Sequence, residues 1–288
     1  MTTRSERRAA LATGGDAGRV RALLREWRAV RHVSQLGLAL DVDISQRHLS
    51  FIESGRAQPS REMVMRLAAA LDLPLRARNE LLLAAGFAPL YPERALSSNE
   101  MDVVRGALDR LLTHHEPYPA MVLDRWWNLV MRNAPNQRIV SSVADEAAVA
   151  RESPDGKLNF VRLMFSEAGL RPHVVNWPTA ASGLITRVRR EAASNPGSPS
   201  QTLLEEFAPQ APRPSPGAPH AADDVLSAAI PLELSVRGQK LAFVNLLTTF
   251  GTPQDVGVQE LRVEMGYPAN EETADVLRTW REERRSRQ

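Results

Sequence analysis

Four side chains in the stretch from Gln35 to Ser54 could read the edges of DNA bases: Ser45, Gln46, Arg47 and Ser50. A guanidinium such as that of Arg47 reaches guanine O6 and N7 together. An amide such as that of Gln46 pairs with adenine, and serine hydroxyls are smaller readers. The chemistry requires all four groups on one outward side of a helix. The apolar spacing supplies this. With Gln35 as the first position, Leu38 and Ala39 are the fourth and fifth, Val42 the eighth, Ile44 the tenth, Leu49 the fifteenth and Ile52 the eighteenth. Two helices crossing over a short turn bury those positions, with Ala39 as the small residue where they touch. Asp43 falls at the turn position that needs positive φ, a region aspartate visits more readily than most residues. An ordinary αα-hairpin would account for the buried spacing alone. The polar outer face independently suits a helix lying in the major groove.

Around this pair stand groups suited to holding backbone phosphate. Ser34 caps the first of the two helices and places Gln35 at its N-terminus, and Arg56 follows the second helix. His48 flanks the same surface, and Ser60 completes the candidate DNA-contacting set. The supporting elements are also helical. Val20, Leu23, Leu24, Trp27 and Val30 recur at helical spacing, which predicts a first helix over Gly18–Arg31. Gly55 ends the reading helix. Ser60 caps a fourth helix with the stripe Met63, Val64, Leu67, Ala68 and Leu71. Pro74 breaks it, and a fifth runs from Leu75 to Ala85 before Gly86. Residues 18–87 thus form a small all-α domain of five helices behind an N-terminal arm, 1–17.

The chain of 288 residues is long enough for two cores. Its net charge of +2 conceals an asymmetry. Residues 1–87 carry 14 arginines against 9 acidic residues, so the excess of positive charge sits at the helical end. There is no cysteine, which excludes disulfides and thiolate metal sites and suits a reducing cytoplasm. No apolar run approaches the ~18–20 residues that span a bilayer, and the first residues lack the apolar core of a signal peptide. The expected location is cytoplasmic.

Residues 88–99 read as a linker, and Glu100–His114 as a helix with Met101, Val104, Leu108, Leu111 and Leu112 apolar. The character then changes. Met121–Leu123 and Trp126–Met131 predict two strands joined around Asp124 and Arg125. Helices are expected over 144–151, 158–168 and 178–193. Seven prolines between Asn195 and Asp224 predict a long irregular loop. Two strands, 228–236 and 240–250, flank Arg237-Gly238-Gln239 as a hairpin. The expected class for 100–279 is α+β with an antiparallel sheet, followed by a charged tail over 280–288.

Ordered motifs across nearly the whole chain carry a family resemblance. SQRHLSFIESGR (45–56), PSREMV (59–64) and NELLLAAGFAPLY (79–91) resemble the Xre-type, lambda-repressor-like helix-turn-helix domain. HEPYPAMVLDRWWNLVMRN (115–133), NFVRLMF (159–165), VVNW (174–177), TTFGTP (248–253) and YPAN followed by TADVLR (267–278) resemble the MmyB-like ligand-binding domain. The resemblance implies a bacterial transcriptional regulator with a PAS-like sensor that takes a fatty acid or a similar hydrophobic ligand. Because one reading helix covers only a few base pairs, a homodimer on a near-palindromic DNA operator is expected. The candidate pocket residues are Trp126, Leu129, Arg162, Met164, Phe165, Asn176, Trp177 and Phe243, with Arg162 as the anchor for a ligand carboxylate. A cavity of ~300–1,000 Å³ is expected for such a ligand. Asn128, Asn133, Asn159 and Asn176 stand within apolar strings, where buried amides more often tie loops together than contact ligands.

Other chemistries are poorly supplied. His114 and His115 diverge by about 100° on a helix and cannot easily share an ion, so no metal is expected. The chain has no GxSxG elbow, HExxH, GxGxxG or phosphate-binding loop. An enzyme is therefore not expected. The alternative is a DNA-binding regulator whose second domain binds a partner protein instead of a small molecule.

Overall fold

A computed structural model of the chain describes residues 17–212 and 231–286. It divides into two compact units. The first comprises the chain up to Arg94 together with Thr252–Gln259, and the second comprises Ala95–Gly251 with the chain from Glu260 onward. Residues 1–16 of the expected arm over 1–17, the stretch 213–230 and the last two residues lie outside the described residues.

The first unit contains α1 (Ala17–Val30), α2 (Gln35–Asp41), α3 (Gln46–Ser54), α4 (Arg61–Ala70) and α5 (Leu75–Ala84). Their starts and stops follow local chemistry. Ser34 Oγ accepts from Gly37 N at 2.9 Å, Ser45 Oγ from His48 N at 3.1 Å, and Ser60 Oγ from Met63 N at 3.2 Å. Each helix is followed by a left-handed residue: His32 (φ 54°), Asp43 (φ 52°), Gly55 (φ 76°), Asp72 (φ 45°) and Gly86 (φ 85°). Leu38, Ala39, Val42, Leu49 and Ile52 are buried as the spacing requires, joined by Val20, Leu24, Trp27, Val64, Leu67 and Leu81. Ile44 is half-buried against this core. The start of α5 has Pro74 at its cap with no side-chain acceptor of its own. A residue from far along the chain serves instead, since Leu75 N donates to Gln259 Oε1 at 2.6 Å. Thr252–Gln259, with the short helix α12 (Val256–Gln259), is fixed further by Val256 N to Pro92 O at 2.8 Å and by Arg94 N to Asp255 Oδ2 at 3.2 Å.

The second unit is built on β1 (Ala120–Leu123), β2 (Leu129–Arg132), β3 (Leu232–Val236), β4 (Gln239–Thr248) and β5 (Arg262–Pro268). They form one antiparallel sheet in the order β2-β1-β5-β4-β3, a PAS-like arrangement. The hairpin turn is Arg237 and Gly238, both at positive φ, which matches the strand twist. One sheet face meets α6 (Asp102–His114) through Leu108, Leu112, Ala120, Val122 and Val263. The other bears Leu123, Leu234, Leu241 and Phe243. It packs with α7 (Ala134–Val143), α8 (Glu146–Glu152), α9 (Phe160–Phe165), α10 (Trp177–Ser194) and α11 (Ser200–Phe207). Helix α13 (Glu271–Arg285) completes the unit.

Five expectations are corrected here. The central strand β5 is absent from the sequence reading because Arg262, Glu264, Gly266 and Pro268 interrupt its apolar pattern. Helix α7 was hidden by Pro135, which is harmless at a helix start, where Asn133 Oδ1 caps Asn136 N at 3.1 Å. Helix α11 lies inside the stretch expected to be irregular, between its prolines. The tail is helical to Arg285, held by the Arg284–Glu116 and Arg138–Glu283 ion pairs. Trp126 and Trp127 belong to the β1–β2 turn and not to a strand. Asp124 Oδ1 accepts from Trp126 N at 2.8 Å and Asn128 N at 2.9 Å, and Trp127 adopts φ 66°.

Candidate functional site

In the first unit α3 presents Gln46, Arg47 and His48 to solvent, with Ser50 half-buried beside them. Leu49 and Ile52 anchor the opposite face. Phe51 lies beneath two guanidinium groups, Arg47 at 5.4 Å and Arg56 at 6.0 Å from its ring centre, which limits the arc each can sweep. Ser45 and Ser60 spend an oxygen lone pair on capping yet remain exposed. Gln35 and Gln46 meet across the two helices, with Gln46 Nε2 to Gln35 Oε1 at 3.5 Å.

The geometry of Gln35 rests on a residue that sequence reasoning missed. Glu53 is 1% exposed on the inner side of α3. Its carboxylate accepts from Arg28 Nε at 2.6 Å, Arg28 Nη2 at 3.0 Å and Gln35 Nε2 at 3.0 Å. A buried carboxylate is stable when its charge is paired and its lone pairs are filled. The network therefore fixes α1, α2 and α3 in one arrangement and leaves Gln35 Oε1 to face Gln46. A glutamate next to Ile52 at the inward phase of the helix was the available signal.

In the second unit a cavity of about 60 Å³ opens against the sheet. Its apolar lining includes Met121, Ile139, Val140, Phe160, Leu234 and Phe243, and its polar groups are Asn136, Asn245 and Glu264. Gly266 keeps part of the wall open. A Cβ there would meet Pro119 Cγ at 3.0 Å and Phe243 Cδ1 at 3.5 Å. The cavity is well below the expected ~300–1,000 Å³, because large side chains fill the space behind the sheet. A second cleft of about 150 Å³ lies between the starts of α7 and the end of α13. Its charged rim is already engaged in the Arg138–Glu283 and Arg284–Glu116 pairs, so the sheet cavity is the better ligand candidate.

Of the expected pocket residues, Phe243 lines this cavity. Met164 and Phe165 are buried in the adjoining core, with Trp177 edge-on to Phe165 at 5.0 Å and Leu129 half-buried nearby. Asn176 secures the outer edge of the sheet, donating to Pro231 O at 2.7 Å and accepting from Glu233 N at 3.1 Å. Asn128, Asn133 and Asn159 likewise tie loops to strands. Arg162 is not placed to anchor a ligand in the cavity. It forms a bidentate pair with Glu206 and lies over Phe207. Trp126 is 52% exposed, whereas Trp127 is fully buried between the guanidinium groups of Arg187 and Arg262. Trp127 Nε1 donates to Ser200 Oγ at 3.1 Å. The aromatic wedge of this turn is structural.

Arg187 pairs with Glu264, and Arg262 with Glu191, across α10 and β5. Burial pulls Arg262 below the usual arginine pKa, with Glu191 opposing the shift. Among the described residues no group of three or more His, Asp or Glu side chains is arranged to hold a metal ion. No described helix is long and apolar enough to cross a membrane.

Comparison with known proteins accounts for both halves. The profile of the MmyB-like transcription regulator ligand-binding domain matches residues 104–279, well over half of the chain. The chain belongs to the MmyB-like transcription regulators. A helix-turn-helix profile matches residues 24–77, the part that carries Gln46 and Arg47. The protein is thus a DNA-binding transcription regulator with a ligand-binding domain, and neither half belongs to an enzyme family. A search of curated proteins gives no match. The solved structure of an RNA-binding light-oxygen-voltage receptor is similar at 14% identity with a TM-score of 0.28, over 99% of this chain and 68% of that one. A superposition that loose carries no argument.

Proposed function

We propose that this MmyB-like regulator binds DNA as a homodimer on a near-palindromic operator and that a hydrophobic small molecule in the sheet cavity changes its operator affinity. In this reading Arg47 and Gln46 contact bases, with Ser45 and Ser50 as smaller readers. Ser34, Gln35, Arg56 and Ser60 hold phosphates, and His48 flanks the interface. A single reading helix covers few base pairs, so two copies on half-sites about one helical turn apart supply the affinity. A fatty acid or a similar hydrophobic molecule is the ligand type that the family resemblance implies.

One observation carries the regulatory part. Strands β4 and β5, which contribute Phe243, Asn245, Glu264 and Gly266 to the cavity, are joined by Thr252–Gln259. That connection folds with the DNA-binding unit and supplies the acceptor for the start of α5. A ligand alters DNA binding only by favouring one of two conformations. A shift of β4 against β5 would pull on a segment that is part of the DNA-binding unit.

The test selects an operator from random DNA with the full-length protein and compares operator affinity for lipid-stripped and ligand-loaded protein. Native mass spectrometry identifies what co-purifies. Operator affinity that stays constant while ligand occupies the cavity would end the regulatory reading. A monomer by sedimentation at micromolar concentration with a footprint of one half-site would end the dimeric one.

A further inference from the structure

The cleft between the start of α7 and the end of α13 shares no lining residue with the sheet cavity. Its volume is about 150 Å³, and an apolar cavity of that size holds a molecule as large as benzene. On α13, Leu277, Trp280, Arg281 and Arg284 recur every three or four residues and so share one face of the helix. Ala134, Pro135 and Arg138 of α7 line the cleft with them, as do Glu116 and Pro117 from the segment before β1.

The apolar part of the wall is Pro117, Ala134, Pro135, Leu277 and Trp280. Proline and alanine have no side-chain rotamers to lose, and Arg138 holds Trp280 in place. Its Nη1 donates to Trp280 O at 3.3 Å, and its guanidinium lies 4.5 Å from the ring centre. A wall so fixed favours a rigid occupant, because a flexible chain gives up rotamer freedom on entering. Five charged side chains also line the cleft. Arg138 pairs with Glu283 at 2.8 Å, and Arg284 with Glu116. The fifth, Arg281, is exposed and forms no ion pair among the described residues. The lining therefore carries one positive charge in excess, at a place where a ligand's charge can stay in water.

From the volume, the rigid apolar wall and the unpaired Arg281, we infer that this cleft is a second ligand site, for a small aromatic acid with one ring and one carboxylate. The ring occupies the space lined by Pro135, Leu277 and Trp280, and the carboxylate meets the guanidinium of Arg281. The ion pairs of Arg138 and Arg284 stay intact, since the ligand uses neither. This site goes beyond the proposed regulatory ligand, although the two cavities share a helix: Asn136, Ile139 and Val140 of α7 line the sheet cavity, and Ala134, Pro135 and Arg138 the cleft.

The test titrates the full-length protein with benzoate, benzyl alcohol, benzylamine and hexanoate. Methyl resonances of Leu277 and the indole N–H of Trp280 report the cleft, and affinities are read from these alone; Ile139 methyls report the sheet cavity. Benzoate is expected to shift Leu277 and Trp280 and to bind roughly fivefold or more tightly than each of the other probes. In Arg281→Gln, a substitution at an exposed position, benzoate affinity should fall roughly threefold or more while that of benzyl alcohol holds. Ala134→Leu, which fills the cleft, should remove benzoate binding. Benzoate that leaves Leu277 and Trp280 unmoved, or that shifts Ile139 alone, would overturn the inference. So would any of the other three probes binding the cleft as tightly as benzoate, or an unchanged benzoate affinity in Arg281→Gln. None of these outcomes depends on whether the sheet cavity takes a regulatory ligand.

Discussion

Two buried glutamates show how differently the halves of this regulator are finished. Glu53 in the DNA-binding unit has both oxygens filled, by Arg28 and Gln35, within a core whose helices all end at defined caps. Glu264 in the ligand-binding unit has one oxygen filled and one left over, beside a cavity. The first pattern locks a single arrangement of helices, as a surface that must match the major groove requires. The second leaves one buried acceptor without a partner, on a residue that lines the cavity. Polar burial is complete in one unit and left incomplete in the other.

The sharpest break of this comparison is the pair of single substitutions. Glu53→Ala removes the partner of a largely buried guanidinium and should destabilise by about 3–5 kcal/mol, read as the loss of the first transition in chemical denaturation. Glu264→Ala should cost less, because Arg187 is one-third exposed and can turn to water. Equal costs would erase the distinction between a locked and an open carboxylate. Next comes Arg47→Ala, with an expected loss of about 1–3 kcal/mol on the selected operator and relaxed preference at one position. Arg56→Ala should weaken all sequences alike and reduce the salt dependence. Binding titrations against operator and scrambled DNA decide this, and an unchanged preference in Arg47→Ala would remove α3 from base reading.

A smaller effect probes the segment shared by chain order with the sheet. Gln259→Ala removes the acceptor for Leu75 N and should lower the stability of the DNA-binding unit by about 1 kcal/mol, the typical worth of a cap. Hydrogen exchange at Leu75 should rise while Leu49 stays protected. The smallest effect is a pH dependence. Burial lowers the pKa of His115, against the opposing contacts with the Gly266 and Pro119 backbone, so the folded state disfavours the charged ring. Stability from this group is whole above the ordinary value of 6.5 and declines as pH falls from there towards the lowered folded value. Wild-type Tm should therefore drop relative to His115→Phe between pH 7.5 and 5, and a constant gap would show that the ring titrates normally.

The DNA-binding half was legible because its rules are local. Caps at Ser34, Ser45 and Ser60, left-handed stops and a 3.6-residue stripe each act over a few residues, and even Asp43 at the turn follows from its short side chain. Its hidden part was Glu53, whose meaning depends on Arg28, 25 residues earlier in the chain. The sheet half was legible in part: β1, the β3–β4 hairpin and the helices α6, α8 and α10 stand close to where the sequence placed them. Strand β5 gains its place from neighbours on both sides, β1 and β4, and so tolerates Arg262 and Glu264 that would disqualify it in isolation. Two of the expected pocket residues stand away from the cavity for a related reason. Trp126 was expected in a strand but sits in an Asx turn set by Asp124, and Arg162 is claimed by Glu206 far along the chain. The charged residue that does line the cavity is Glu264, on the strand that the sequence reading lacked.

Gln259 also sets the order in which the protein can be completed. As the chain leaves the ribosome, the five helices emerge early, yet the acceptor for Leu75 N and the bond from Val256 to Pro92 arrive only after β4 has been made. The DNA-binding unit is finished after four of the five strands of the sheet exist. Prematurely terminated chains that lack Gln259 carry an α5 whose first turn is unsecured.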